Sequence, residues 1–579
     1  MNNQIKSVCI IGGGSAGASA ALLYQTWLGP LGIKVTQIEN VTEGPIGVGE
    51  ATVGHINAFL KLCDINPMKF MLSKCDGTVK YAVRLRNFRE LDHSYFTPVA
   101  TYSLDTSTAV NYEATEKQFW DSWAGIYFGQ EGKSPFLKRE SWDECGYAIW
   151  PEFAWNVDAL AMAKEFKKIA LERGLEVIDD TITSLEFDEN KKITSINLEK
   201  NGNKEYDFYI DCSGFKRLIP NTLSIPDKDY TDLIPNNRAW ATQIPYEDRD
   251  TELPYLSSVD CVGMNAGWRW SIGQQSRLGT GYVFSTDYIS EEDAFKEFQD
   301  SYPNRITKEN SKLIKFKTHQ STQHAGPNWV LSGLNAGFVE PLESTSIFIG
   351  HATIVATLNL MINNALPNET DMVRWDPWEM THAWEAPRQG ETRDYTWSND
   401  KAKVLNLHVH GLFDTTVKYI VAHYVWSKRT DTPYWCSFKK HKEQTLVWAK
   451  HYCHDWTSHH IFGPLTWGLL AYANDMWDEV TENKFLTYLW QNPQYRAKIL
   501  SGEKTFEEIS ASIDEITRAR YEAFSLGKAA RRNFIYKKHT EHALDLLNQQ
   551  EFADIIIRAI KTGDVAIDKL NYQELLHNI

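Results

Sequence analysis

Residues 10–17 read Ile-Ile-Gly-Gly-Gly-Ser-Ala-Gly, so an apolar run leads straight into Gly12-x-Gly14-x-x-Gly17. That spacing suits a dinucleotide pyrophosphate: Gly12 permits a tight turn, Gly14 lets the backbone approach the phosphates, and Gly17 lets the next helix pack closely on its strand. The helix that follows points its positive end at the phosphates. Glu39 closes the following run, Lys34-Val-Thr-Gln-Ile-Glu39, about 22 residues past the last glycine. A carboxylate there can accept from both ribose hydroxyls and repels a 2′-phosphate, which favours FAD or NAD over NADP. A second anion-binding signal is Gly337-Phe-Val-Glu-Pro-Leu-Glu-Ser-Thr345, directly ahead of a long apolar stretch near 346–364. Glycine, proline and Ser/Thr before a helix are start signals, and the N–H groups of the first turn remain free for an anion.

These groups need a scaffold. An opening βαβ unit is expected, with its helix over 16–28 and its second strand ending at Glu39. The glycine-rich turn Gly44-Pro-Ile-Gly47-Val48-Gly49-Glu50-Ala51-Thr52 follows, then a helical stretch near 54–72, so the nucleotide module extends well past its glycines. Large aromatics crowd 119–155. Asn156 to Arg173 reads as an amphipathic helix, and 175–212 as short strands ending on Tyr209-Ile-Asp211-Cys-Ser-Gly214. Residues 240–335 are β-rich and include Trp329-Val-Leu-Ser-Gly333. Beyond about 436 the chain reads as helical, with amphipathic stretches near 480–500 and 505–560. The expected fold class is α/β (α+β). A Rossmann-type module spans 1–436 and carries an aromatic-rich insertion at 85–155, and a helical subdomain at 437–579 serves as lid or packing layer.

At 579 residues the chain exceeds what one hydrophobic core usually holds. A formal charge of −15 without a basic tract argues against nucleic acid and anionic membrane surfaces. The eight cysteines form no C-x-x-C pair, so neither a zinc site nor a disulfide scaffold is indicated. Met1 leads at once into the first strand, and no apolar run approaches the roughly 18 residues a membrane span needs. A cytoplasmic protein without a leader is expected.

Five motifs in order, Gly12-x-Gly14-x-x-Gly17, Gly47-Val-Gly49-Glu-Ala-Thr52, Thr78-Val-Lys80, Trp268-Arg-Trp270-Ser-Ile-Gly273 and Pro341-Leu-Glu343-Ser-Thr345, resemble the flavin-dependent halogenases related to tryptophan halogenases. The resemblance covers about residues 1–436, takes in His423-Tyr424 and Asp431-Thr-Pro-Tyr-Trp435, and fades in the C-terminal fifth. Its finer likeness is to a divergent, cyanophage-encoded branch. The resemblance implies an FAD-binding fold of the flavin monooxygenase type, and chemistry in which reduced FAD and O2 oxidise halide to hypohalous acid without a metal. That oxidant travels through a channel to a lysine, which presents it to an electron-rich aromatic carbon.

By this resemblance Lys80 is the lysine and Glu343 the carboxylate that steers the halogen or takes the arenium proton. The backbone amides of Thr345 and Ser346 cradle the halide. Trp268 and Trp270 keep organic substrate from the flavin, and Gly12, Gly14, Ser15, Ala16, Gly17, Glu39, Gly47, Val48, Gly49, Glu50, Ala51, Asp211 and Gly333 hold FAD. A separate flavin reductase supplies FADH2, since one dinucleotide motif is present. Taken alone, Lys80 would read as a solvated surface charge and Glu343 as a helix N-terminal glutamate stabilised by the dipole.

Two departures from the family pattern matter. Ser346 stands where many members have glycine, and Gly273 stands where they have proline. Loss of the ring widens the neighbouring channel, so bromide, or even iodide, is expected to serve at least as well as chloride. The substrate is read as a freestanding phenol, indole, pyrrole or similar ring, free tryptophan not being the first choice. The rival reading is a flavin aromatic hydroxylase, which would not require Lys80, Glu343 and the tryptophan pair together. A flavin-binding scaffold without turnover is a further alternative. The C-terminal helices are read as packing on the core, with self-association as the alternative.

Overall fold

The structure is a computed structural model, and it describes residues 4–40, 50–99, 133–137, 153–248, 258–362, 395–454, 464–476 and 546–548, with single positions at 462, 480, 498 and 508. The opening elements are β1 (Ser7–Ile11), α1 (Ser15–Leu28), β2 (Lys34–Glu39), β3 (Glu50–Ala51), α2 (His55–Leu62), β4 (Thr78–Lys80), β5 (Ala82–Arg86) and β6 (Ser94–Pro98). Next come β7 (Ala154–Val157), α3 (Ala159–Glu172), β8 (Glu176–Asp179), β9 (Phe208–Asp211), β10 (Arg238–Pro245), β11 (Ser258–Gly263) and β12 (Gly267–Gly273). The last are β13 (Arg277–Phe284), β14 (Ser311–Lys315), β15 (Trp329–Leu331), α4 (Ser346–Ile362), α5 (Asn399–Val425), α6 (Lys442–His454) and α7 (Pro464–Ala473).

A five-stranded parallel sheet, ordered β15-β9-β1-β2-β8, forms the nucleotide module. Its central strand is a continuous apolar run, Val8-Cys9-Ile10-Ile11, buried throughout. That is the pattern of a parallel strand covered on both faces. α1 packs on this sheet and against α3 and α4. α4 is apolar nearly all round and almost entirely buried, which makes it a central core helix. The expected Rossmann-type α/β fold is therefore present.

A second sheet of seven strands, β14-β10-β13-β12-β11-β5-β6, is antiparallel except for the β11–β5 pair. A small sheet, β3-β7-β4, joins the two modules. In it β7 pairs with Glu50–Ala51 on one edge and with Thr78–Lys80 on the other. The helix expected from Asn156 accordingly begins later. Residues 154–157 are spent on that pairing, and the Asp158 carboxylate caps α3 by accepting from the amides of Leu160 and Ala161. The single helix expected near 54–72 is two, α2 and Pro67–Lys74, because Asn66 caps a fresh start at Pro67.

Past residue 436 the helical expectation holds for α6 and α7. A difference arises at Leu546–Asn548, a strand paired with Lys133–Leu137, where a distant backbone partner outweighs local helical spacing. The aromatic segment at 119–150, save the backbone of 133–137, lies outside the described residues, as does most of 480–560.

The glycines of the first turn are separable. Gly12 sits at φ +105°, in the left-handed region, and at Gly17 a Cβ would come within 2.0 Å of the Gly12 carbonyl oxygen. Gly17→Ala is expected to cost about 1–3 kcal/mol of stability through overpacking. Gly14 has nothing within 4 Å of where a Cβ would stand. Gly14→Ala should keep the wild-type denaturant midpoint and weaken FAD binding, as read by fluorescence titration.

Candidate active site

A cavity of about 760 Å³ opens over the carboxyl ends of the parallel strands, lined by the 12–16 loop, Glu39, Glu50, Cys212–Gly214, Gly333, Thr345 and Ser346. The open space at Gly14 and the free first-turn amides of α1 form a cradle for a pyrophosphate. At the nucleoside side, the buried Glu39 carboxylate leans over Gly13, where a Cβ would come within 1.8 Å of Oε2. Lys167 of α3 donates to its other oxygen, Oε1. Nothing in the sequence singles out Lys167, one of several lysines on an amphipathic helix. These residues fit a flavin dinucleotide.

Asp211 is placed differently from Glu39. Its carboxylate accepts from the amides of Ser213 and Ile219, each at 2.9 Å, and burial pushes its carboxyl up. Asp211 thus shapes the turn, and its neighbours Cys212, Ser213 and Gly214 form the cavity wall. Gly333 lines that wall in a left-handed conformation, its missing Cβ leaving room for Ala16. Gly47, Val48 and Gly49 lie outside the described residues. Glu50 reaches the cavity, with its carboxyl pushed up to about 7 by burial, and Ala51 pairs with Asn156.

Lys80 ends β4, at the joint between the small sheet and the seven-stranded sheet. It is buried, and its Nζ donates to the Thr52 carbonyl at 2.9 Å and to Ser344 Oγ at 2.8 Å. Burial pulls its amine down to about 8, an effect opposed by the negative charge of Glu343. Ser344 adopts φ +60°, strain of the kind found where a side chain must be aimed. Sequence reasoning gave Ser344 and Thr52 no role, because their partner is remote along the chain.

Glu343 is buried beside this group. Thr97 Oγ1 lies 3.0 and 3.2 Å from its two oxygens, and His423 Nε2 lies 3.1 Å from Oε1. Thr97 carried no sequence signal, and His423 was a motif residue without a role. Thr345 follows on the cavity side, and its buried Oγ1 has no hydrogen-bond partner. An unpartnered hydroxyl beside the first-turn amides of α4, which Ser346 opens, is a donor set for a small anion.

Trp268 and Trp270 share one face of β12, their ring centroids 6.1 Å apart, and both are buried. The Gly273 carbonyl, at the end of β12, accepts from Thr78 Oγ1 at 2.6 Å, two residues before Lys80. The tryptophan strand and the lysine strand are thereby tied together. Trp467 on α7 is buried against Tyr419 and Tyr452. The 119–150 aromatics lie outside the described residues.

The family model described as tryptophan halogenase matches residues 7–389. The chain belongs to the tryptophan halogenase family. Like its relatives, it is a flavin-dependent halogenase acting on an aromatic substrate. It is 26% identical over 450 residues to the 7-chloro-L-tryptophan 6-halogenase KtzR of Kutzneria sp. (strain 744), covering 74% of this chain and 80% of that one. It is 27% identical over 452 residues to the tryptophan 6-halogenase SttH of Streptomyces toxytricini, covering 74% and 80%. Its fold matches Tar14, a tryptophan C-6 flavin-dependent halogenase (chlorinase) from taromycin biosynthesis, with TM-score 0.73, 24% identity and coverage of 96% and 100%. Among the described residues no helix of the halogenase is long and apolar enough to cross a membrane, and no group of three or more His, Cys, Asp or Glu is placed to hold a metal ion.

The burial of Lys80 has a pH signature. A folded-state amine near 8 against an ordinary 10.5 penalises the folded state in full below pH 8. The penalty vanishes as pH rises through 10.5, because the unfolded chain binds the extra proton in that window. The stability difference between Lys80→Met and wild type is expected to shift in favour of wild type by about 3 kcal/mol across this range. Denaturant unfolding at a series of pH values measures it.

Proposed function

We propose that the halogenase takes FADH2 from a separate reductase, uses O2 to convert halide to hypohalous acid, and transfers the halogen through Lys80 to an electron-rich, freestanding aromatic. The observation that carries this reading is the buried Lys80 amine, bonded to Ser344, whose neighbour Thr345 lines the flavin cavity. Bound in that cavity, reduced FAD would supply two electrons to O2, so that one oxygen atom leaves as water while the halide gives its own electron pair to the other.

The chain's own residues do the rest. The Gly12–Gly17 turn, Glu39, residues 47–51 and Gly333 hold the dinucleotide. Thr345 and Ser346 hold the halide by their amides. Trp268 and Trp270 wall organic substrate away from the flavin. Lys80 Nζ either donates to the hypohalite oxygen, which raises its electrophilicity, or, in its neutral form, becomes the haloamine with release of water. An amine pulled down to about 8 is available in both forms near neutral pH. Glu343 accepts the proton that the arene loses.

Gly273 supports the acceptance of larger halides. No ring projects from that position, whose carbonyl is fixed beside the lysine strand by Thr78. Bromide and iodide are also easier to oxidise than chloride.

The test incubates the protein with FAD, a flavin reductase, NADH, O2, equal chloride, bromide and iodide, and a panel containing phenol, indole and pyrrole. Mass spectrometry should find halogenated arene, with bromo- or iodo-product at least equal to chloro-product. Lys80→Ala should abolish it, and Glu343→Gln should lower it about 100-fold. Mainly chlorinated product would remove the halide reading, and halide-independent hydroxylation would replace the whole proposal with an aromatic hydroxylase.

A further inference from the structure

The turn from Glu340 to Ser344 is gripped by two consecutive residues of α5. The Tyr424 hydroxyl donates to Glu340 Oε1, while Asn236 Nδ2 donates to Oε2 at 2.6 Å. One residue earlier on the helix, His423 sets Nε2 3.1 Å from Glu343 Oε1. This approach lies off the line of a hydrogen bond, so the nitrogen has no aligned partner. Such contacts between catalytic groups commonly tighten only when substrate is present. The other imidazole nitrogen, Nδ1, is 2.9 Å from the Tyr95 hydroxyl, and Tyr419 closes edge-on over the ring at 5.1 Å. The imidazole is wholly buried, so its tautomer is set by these neighbours and not by solvent.

The neighbours favour one tautomer. If Tyr95 donates to Nδ1, the ring proton is on Nε2 and faces the carboxylate. The opposite tautomer would set the Nε2 lone pair against an ionised Oε1 and is disfavoured for as long as Glu343 carries its charge. Thr97 has a single hydroxyl proton to share between two oxygens at 3.0 and 3.2 Å. Oε1, held from the His423 side, is therefore the more committed oxygen, and Oε2 keeps the freer lone pairs.

We propose that Tyr95 and His423 form a positioning unit for Glu343, holding Oε1 so that Oε2 faces the ring carbon that has just received the halogen. The inference rests on the reading of Glu343 as the acceptor of the arene proton. In that step the ring C–H bond breaks, its electron pair restores aromaticity, the proton goes to Oε2, and Oε1 stays beside Nε2. Nothing is oxidised or reduced. His423 touches neither substrate nor flavin, and it acts through the carboxylate.

The test uses the full chain with reductase-supplied FADH2 and bromide, and saturating indole or ring-deuterated indole in separate reactions. Aromatic substitution ordinarily loses its proton faster than it gains halogen, so wild type should consume both indoles equally fast. With the carboxylate misaimed, proton loss becomes limiting. His423→Leu is expected to brominate at least about tenfold more slowly, as when the partner that orients a catalytic group is removed. The loss should fall on kcat and not on KM, with a clear kinetic preference for unlabelled indole. His423→Gln, whose amide can again donate to Oε1, should recover most of the rate and lose that preference. Tyr95→Phe, a smaller perturbation of the core, should show the preference at an intermediate rate.

FAD affinity is the fold check, since neither Tyr95 nor His423 lines the cavity. Slow variants that still consume both indoles equally would overturn the proposal and leave His423 a packing residue. Glu343→Gln brominating at the wild-type rate would overturn the underlying reading of Glu343, and the inference with it.

Discussion

An amine cannot be buried without oxygens to receive its protons, and the two that receive those of Lys80 dictate much of the architecture around it. The Thr52 carbonyl comes from the end of the glycine-rich segment that follows the nucleotide module's second strand. Ser344 comes from the turn ahead of α4. Removing either would leave a buried cation with one acceptor fewer, a cost of about 1–3 kcal/mol. The constraint explains why β7 pairs with both β3 and β4: the same short sheet sets Thr52 and Lys80 at bonding distance. It also explains why Ser344 tolerates a left-handed backbone, since an extended residue there would turn its hydroxyl elsewhere.

The same turn brings opposite chemistry together. Ser344 serves the lysine, Glu343 presents a carboxylate to Thr97 and His423, and Thr345 faces the flavin cavity. Three consecutive residues therefore address three different groups, each held by a different element: β4, β6 with α5, and α4. Such crowding leaves little freedom for substitution. Sequence identities of about a quarter across a common fold are compatible with a site specified by a few short segments and a scaffold specified mainly by apolar pattern.

Local features were legible in the sequence. β1 reads as a buried parallel strand because four consecutive apolar residues fill it, and the following glycines announce a turn whose geometry they alone permit. α4 reads as a buried helix for a similar reason. Long-range pairings were not legible. That Lys167 meets Glu39, or that Thr97 meets Glu343, depends on packing between elements remote in sequence. The start of α3 was misplaced because 154–157 has no strong local preference, and strand pairing on both edges decided it. The roles proposed for Lys80 and Glu343 come from motif order, since an isolated lysine or glutamate carries no such information.

The Lys80–Ser344 bond joins residues 264 positions apart. Loop-closure entropy makes so remote a contact a late event in folding. The turn that provides it also carries Thr345 on the cavity wall, so one short segment belongs to both compartments. The integrity of one compartment thus reports on the other: a copy whose turn is misplaced loses an acceptor of the lysine and part of the cavity wall at once.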